Sequence, residues 1–231
     1  MKKLPEMKKR NKKWNLVVLS PHLDDAVLSL GQHILKWKKE GKKVKIITIF
    51  TKFSEGKNLS GYSKDYLRKS GFNSVKEFGE ARTREDKEAM KILRVDYEHW
   101  GFVDAGFRGI YKTREALLGG RVDKRDDSLE KQIEEKIKGV KVDLFMVPYG
   151  VGGHVDHVLL KKLSQKITNK YYYLESPYLW QNLNFLKLSW KIIRARSVVR
   201  GGEEKRRILR SYQSQYNLSM NDENIFTEVI I

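Results

Sequence analysis

The sequence predicts an α/β fold, a doubly wound and mostly parallel sheet. Three observations point there. Short β-branched runs alternate with helical segments, two strands and the helix between them form a βαβ unit at the start, and 231 residues are enough for one such domain with its own core. No internal repeat or linker divides the chain, so residues 14–231 read as a single domain behind a basic tail of residues 1–13.

Asn15 to Leu19 is an apolar run that stops at Ser20-Pro21, as a buried strand does before a loop. Asp24 to Glu40 reads as a helix with Ala26, Val27, Leu30, Ile34, Leu35 and Trp37 on one side, ended by Gly41. Val44 to Thr51 is a second strand, apolar enough from Ile46 to Phe50 to be buried on both faces. Residues 52–79 lack periodicity and read as a long loop or lid, the length at which loops are usually functional. Glu80 to Leu93 follows as a helix and Tyr97 to Phe102 as a short strand leading to Asp104. Asp127 and Glu130 have capping-box spacing before a helix over Ser128–Lys138. Val142 to Val147 is a strand closed by Pro148, Val155 to Asn169 a helix, Tyr171 to Leu174 a strand, and Glu203 to Gln215 a last helix. In the usual strand order 3-2-1-4-5, the strands at Asn15 and Val142 are neighbours at the point where the order reverses.

Composition excludes several chemistries. The chain has no cysteine, which removes disulfides, thiol catalysis and Cys-based metal sites, so any metal sits on His, Asp or Glu. No apolar run reaches the roughly 18 residues of a membrane helix, and the basic N-terminus lacks a signal peptide's apolar stretch, so the cytoplasm is the expected compartment. The formal charge of +18 comes from 47 Lys/Arg against 29 Asp/Glu. It is concentrated at the ends: residues 1–13 hold seven Lys/Arg and one Glu, and residues 187–210 nine Lys/Arg and two Glu. A nucleic-acid binder would interleave basic and aromatic residues on one face, and this distribution does not, so nucleic acid is not an expected partner. Tyr178, Trp180, Phe185 and Trp190 beside the second basic segment leave a peripheral contact with an anionic membrane open.

Two polar clusters carry the chemistry. Pro21-His22-Leu23-Asp24-Asp25 follows the first strand and opens its helix; Gly152-Gly153-His154-Val155-Asp156-His157 follows the strand at Val142 and opens another. Together they bring three His and three Asp to the carboxyl ends of two neighbouring strands, where α/β sheets bind ligands. Two His, one carboxylate and an open position suit zinc. His33, in mid-helix, and His99, in a strand, lack such company and read as packing or surface residues.

The paired clusters resemble the PIG-L/LmbE-like family of metal-dependent de-N-acetylases, whose patterns are Pro/Ala-His-Pro-Asp-Asp-Glu and Gly-His-Pro-Asp-His. Arg82-Thr83-Arg84-Glu85, Asp104 and the segment Lys205 to Gln215 add weaker similarity. The resemblance implies a Rossmann-like sheet with a metal site at the C-terminal ends of strands 1 and 4. It implies one Zn²⁺ per chain, or another divalent metal, on His22, Asp25 and His157. It also implies Asp24 as general base, His154 as the group that stabilises the oxyanion or protonates the leaving amine, and Asp156 as the carboxylate that orients a histidine. Arg82 and Asp104 become candidates for sugar contacts. The activity implied is hydrolysis of the acetamide of an N-acetylglucosamine-type sugar conjugate, glycolipid or nucleotide sugar, anionic or lipid-linked substrates included. The chain departs from the family at Leu23, where the pattern has Pro, and at Ala26, where it has Glu. The alternatives are a metal-dependent phosphoesterase, which would need a second set of ligands, and a nucleic-acid or anionic-surface binding protein.

Overall fold

The computed structural model describes residues 14–54, 59–181, 194–215 and 226–231. The basic tail 1–13, the second basic segment up to residue 193, Phe185 and Trp190 lie outside the described residues, as does the side chain of Trp180.

Seven strands form one sheet in the order β3-β2-β1-β4-β5-β7-β6. They are β1 (Trp14–Ser20), β2 (Val44–Lys52), β3 (Asp96–Val103), β4 (Val142–Pro148), β5 (Lys170–Leu174), β6 (Ser197–Arg200) and β7 (Thr227–Ile230). The first five run parallel in the expected order. β7 pairs antiparallel with both β5 and β6, extending the sheet by a mixed edge that periodicity did not predict. β1 and β4 are direct neighbours, with Leu16 opposite Leu144 and Val18 opposite Met146. The two polar clusters therefore leave the sheet side by side.

Alternate residues of β1 bury on opposite faces. Leu16 and Val18 pack with α1 (Asp25–Lys39), α3 (Val75–Leu93) and α8 (Glu203–Leu209) through Ile34, Met90 and Ile208. Val17 and Leu19 pack with α5 (Asp127–Lys138) and α6 (Val155–Ser164) through Ile133 and Leu159. A strand covered on both faces explains its unbroken apolar run.

The segment 52–79 is more ordered than its sequence predicts. β2 continues to Lys52, α2 spans Gly61–Lys69, and α3 begins at Val75 rather than Glu80. α2 buries only Ser63 and Leu67, too little apolar surface to print a period, and is started by the Ser60 hydroxyl accepting the Ser63 N–H. α3 starts at Ser74, whose hydroxyl accepts the N–H of Glu77. The capping box expected at Asp127 and Glu130 does not form: Asp126 stands at the N-cap position without capping, its carboxylate taken by Arg108 and Tyr111. A short helix α4 (Arg114–Leu118) appears before it. α6 stops at Ser164, short of Asn169, and α8 at Leu209, short of Gln215. After α8 the chain docks on α3, with Tyr212 donating to Asp86 and Ser214 to Glu85.

A buried ion pair joins β7 to α8, and hydrogen bonds to the same carboxylate reach α1. Glu228 accepts the backbone N–H groups of Gln32 and His33, the His33 ring and the Lys205 ammonium, at 2.7–2.9 Å. Lys205 also donates to Leu28 O at 2.7 Å. His33 is thus a packed core histidine, and His99 pairs with Asp86.

Candidate active site

The turn after β1 is built by its own polar atoms. The Ser20 hydroxyl donates to His22 O and accepts the Ala26 N–H, which closes the turn and caps the start of α1. Leu23 is fully buried beneath it. The position that is Pro in the resembling pattern is here held by packing, and the N–H of Ala26 by Ser20. Asp24 has φ +144°, a left-handed conformation that L side chains rarely adopt. Such a backbone costs about 1–3 kcal/mol and persists only when its surroundings over-determine it.

The turn after β4 rests on glycine. Gly152 has φ +83°, and a Cβ there would lie 2.6 Å from the ring of Tyr178, which leads α7 (Tyr178–Gln181). Gly153 has φ +72°, and its Cβ would strike Leu118 O. Glycine therefore lets α4 and α7 close over the turn.

These turns bring His22, His154 and His157 together, with ring centroids 4.7–5.3 Å apart. Their nitrogens lie within 4.8 Å of one another, and so do ligand atoms of His22, Asp104 and Asp156. Asp25 Oδ2 sits between two imidazoles, 3.1 Å from His22 Nδ1 and 3.2 Å from His157 Nε2. That His157 nitrogen is buried and makes no hydrogen bond. Burial opposes charging of His22 and His157, but Asp104, Asp156 and Asp25 outweigh it for His22, and Asp25 and Glu175 lift His157 to about 9. A cation bound among them would have to displace those protons.

The remaining predicted residues surround this centre. Asp24 faces Arg82, which donates to its Oδ2 at 3.1 Å. Burial raises the Asp24 carboxyl to about 6, against the pull of Arg82. Arg82 is therefore committed to Asp24 and, with Asp104, also lines the cavity above the site. Asp104 accepts the Gly106 N–H and stands 3.5 Å from His22 Nε2. His154 Nδ1 accepts the Asp156 N–H at 3.3 Å, which puts its proton on Nε2. Burial, reinforced by His22 and His157, pushes its pKa well down. Asp156 accepts from His22 Nε2 at 3.0 Å and from the Ala105 N–H at 2.9 Å.

Two residues escaped sequence reasoning. Arg108, buried, donates to Asp156 Oδ1 at 2.7 Å, to Asp126 Oδ2 at 2.9 Å and to Val103 O at 2.7 Å. Nothing in its neighbourhood of sequence marks it. Glu175 accepts from His157 Nδ1 at 3.1 Å and from the N–H groups of Tyr149, Gly150 and Val151. It had a signal: a lone carboxylate directly after β5, at the same end of the sheet as the two clusters.

Above the centre is a cavity of about 260 Å³, lined by Tyr62, Tyr66, Leu117, Leu118, Tyr178 and Gln215. His22, Asp24, Asp25 and His154 reach into it. The arrangement combines buried nitrogen and carboxylate donors with a carboxylate of raised pKa and a neutral N–H donor, the parts that acid–base hydrolysis of a carbonyl compound uses.

Comparisons with known proteins bear on the fold and the family. The chain is 29% identical over 156 residues to a 2'-N-acetylparomamine deacetylase of Streptomyces fradiae, covering 67% of this chain and 52% of that protein. It thus spans about half the length of that relative. It is 28% identical over 207 residues to a 2'-N-acetylparomamine deacetylase of Niallia circulans, covering 78% of this chain and 74% of the relative. The zinc inhibited form of a teicoplanin deacetylase superposes with a TM-score of 0.68 at 22% identity over 92% of this chain and 89% of that one, which shows a common fold. Residues 17–168 match the model of the PIG-L family, GlcNAc-PI de-N-acetylase, a span that contains both polar clusters. With most of its length matched, the chain belongs to the PIG-L family.

Proposed function

We propose that the protein is a zinc-dependent N-deacetylase that hydrolyses the acetamide of an N-acetylated sugar conjugate. The observation that carries this reading is Asp25 Oδ2 lying between His22 Nδ1 and the hydrogen-bond-free His157 Nε2, with Asp24 beside them at the floor of the cavity. Two imidazoles and a carboxylate converging on one point fit zinc, and His22, Asp25 and His157 would hold it. When bound, the metal supplies Lewis acidity toward a carbonyl oxygen and lowers the pKa of water.

The chain's own groups do the rest. Asp24, with its carboxyl raised to about 6, accepts the proton of the attacking water. His154 offers Nε2–H to the developing oxyanion, a donor whose loss typically costs about 3–4 kcal/mol in such sites. The proton on Asp24 then passes to the departing nitrogen, so that acetate and a free amine leave. Asp156, gripped by Arg108, fixes the His22 ring, and Glu175 fixes His157. A phosphoesterase with two metals is less well supported. The second cluster shares His22 with the first, and its Asp156 is already committed to Arg108 and Ala105.

The test is acetate release from a panel of N-acetyl sugars, with metal analysis of each variant. Asp24→Asn should retain zinc and lose turnover, and His157→Ala should lose zinc. Full activity in the first variant would remove Asp24 as base, and unchanged zinc in the second would remove His157 as ligand.

A further inference from the structure

Among the described residues, one cation lining the cavity is not employed by the catalytic arrangement. Arg82 is matched by Asp24, and Arg108 by Asp126 and Asp156. Arg114, at the start of α4, lines the same cavity and has no ion pair or hydrogen bond with any described residue. It is exposed, at the mouth rather than the floor. Tyr62 also lines the cavity, and its hydroxyl has no hydrogen-bond partner among the described residues. Tyr62 feels the charges of both Arg114 and Asp104.

An acetamide held at His22, Asp24 and His154 sends the rest of its sugar toward that mouth. A group attached to the sugar then meets a guanidinium fork and a phenol, both donors. Guanidinium binds phosphate and carboxylate oxygens in pairs and repels ammonium groups. A polycationic aminoglycoside, the substrate class in the names of the two curated relatives, meets the wrong sign at Arg114.

We propose that Arg114, with the Tyr62 hydroxyl, forms a specificity subsite for an anionic substituent, a phosphate ester, on the acetamido sugar, and that it selects against polycationic aminoglycosides. The proposal rests on the deacetylase reading for its orientation of the sugar. An ion-paired hydrogen bond of this kind changes affinity about tenfold or more.

The experiment compares N-acetylglucosamine 1-phosphate, the neutral methyl N-acetylglucosaminide and 2'-N-acetylparomamine on the zinc-loaded wild type, Arg114→Ala and Arg114→Glu. Acetate release and calorimetric binding are both measured. The wild type should favour the phosphate over the neutral sugar by about tenfold in kcat/KM and in affinity, and Arg114→Ala should erase that ratio, chiefly through KM. Arg114→Glu should invert it toward the aminoglycoside. A fourth arm, the same sugar as a phosphodiester of a lipid in phosphatidylcholine vesicles, tells a membrane source from a soluble one by which shows the larger Arg114-dependent ratio. A ratio near one in the wild type, or one unchanged in Arg114→Ala, overturns the subsite. Calorimetry separates the two readings: phosphate preference that depends on Arg114 without acetate release from any sugar leaves the subsite standing and removes the deacetylase.

Discussion

Replacing Arg108 by Met removes the buried cation that holds Asp156 and, through it, the ring of His22. The Arg108 side chain is 8% exposed, and those of the two carboxylates it serves, Asp126 and Asp156, are 3% and 0% exposed. It gives them hydrogen bonds of 2.9 and 2.7 Å and a third of 2.7 Å to Val103 O. Methionine fills much of the same volume but strands both charges. Breaking a buried pair from one side costs about 3–5 kcal/mol. In a domain of this size each kcal/mol lowers the melting midpoint by about 2–4 °C, so a drop on the order of 10 °C is expected. Adding Asp126→Asn leaves one stranded carboxylate instead of two and should recover about 1–2 kcal/mol, a coupling that a double-mutant cycle reads directly. Urea unfolding gives the stability and a zinc titration gives the functional consequence, an affinity weaker by about 10–100-fold because His22 loses its fixed partner. A variant within about 1 kcal/mol of wild type and equal in zinc affinity would refute the clamp.

Three further outcomes follow from other contacts. Gly152→Ala puts a methyl into the Tyr178 ring at a backbone conformation that alanine resists, so stability should fall by about 1–3 kcal/mol and the ring should leave the cavity wall, read as a change in Tyr178 fluorescence or chemical shift. Glu175→Gln keeps the shape but weakens the hold on His157 Nδ1 and should reduce zinc affinity about tenfold without unfolding the chain; unchanged affinity would show that His157 is held by packing alone. Glu228→Gln reports on pH. Burial pushes the Glu228 carboxyl up, but Lys205 and His33 outweigh that and hold it below the usual range. Between that depressed pKa and about 4.3 the unfolded chain binds more protons, so the stabilisation is present above this window and is lost as pH falls through the folded pKa. The wild type should exceed Glu228→Gln in stability at pH 7 and the gap should narrow as pH falls below about 4.3; a gap independent of pH would contradict this account.

Three of the five parallel strands, β1, β2 and β4, were legible because each is an apolar run covered on both faces, as at Ile46–Phe50, whereas β5 is only half-buried and the edge strand β3 mostly exposed. The residues at the centre were legible because His22, Asp24 and Asp25, and His154, Asp156 and His157, cluster where strands end. Arg108 and Glu175 were not, since each acts alone and meets its partners only through the fold. β6 and β7 escaped because four residues at an antiparallel edge are too short for a period to show. α2 was hidden by its two buried residues, whereas Ser74 and Glu77 have the spacing of a helix start.

Asp24 offers a way to sort this chain's relatives. Its backbone sits where glycine would be at ease, but glycine there would also strip the buried Arg82 of its partner, so relaxation at this position needs a change at Arg82 as well. A carboxylate is kept there only while something demands it. Relatives that hold the two imidazoles but have relaxed to glycine at this site should prove to be binding proteins that keep the metal and have abandoned turnover, a distinction that one residue makes without any assay.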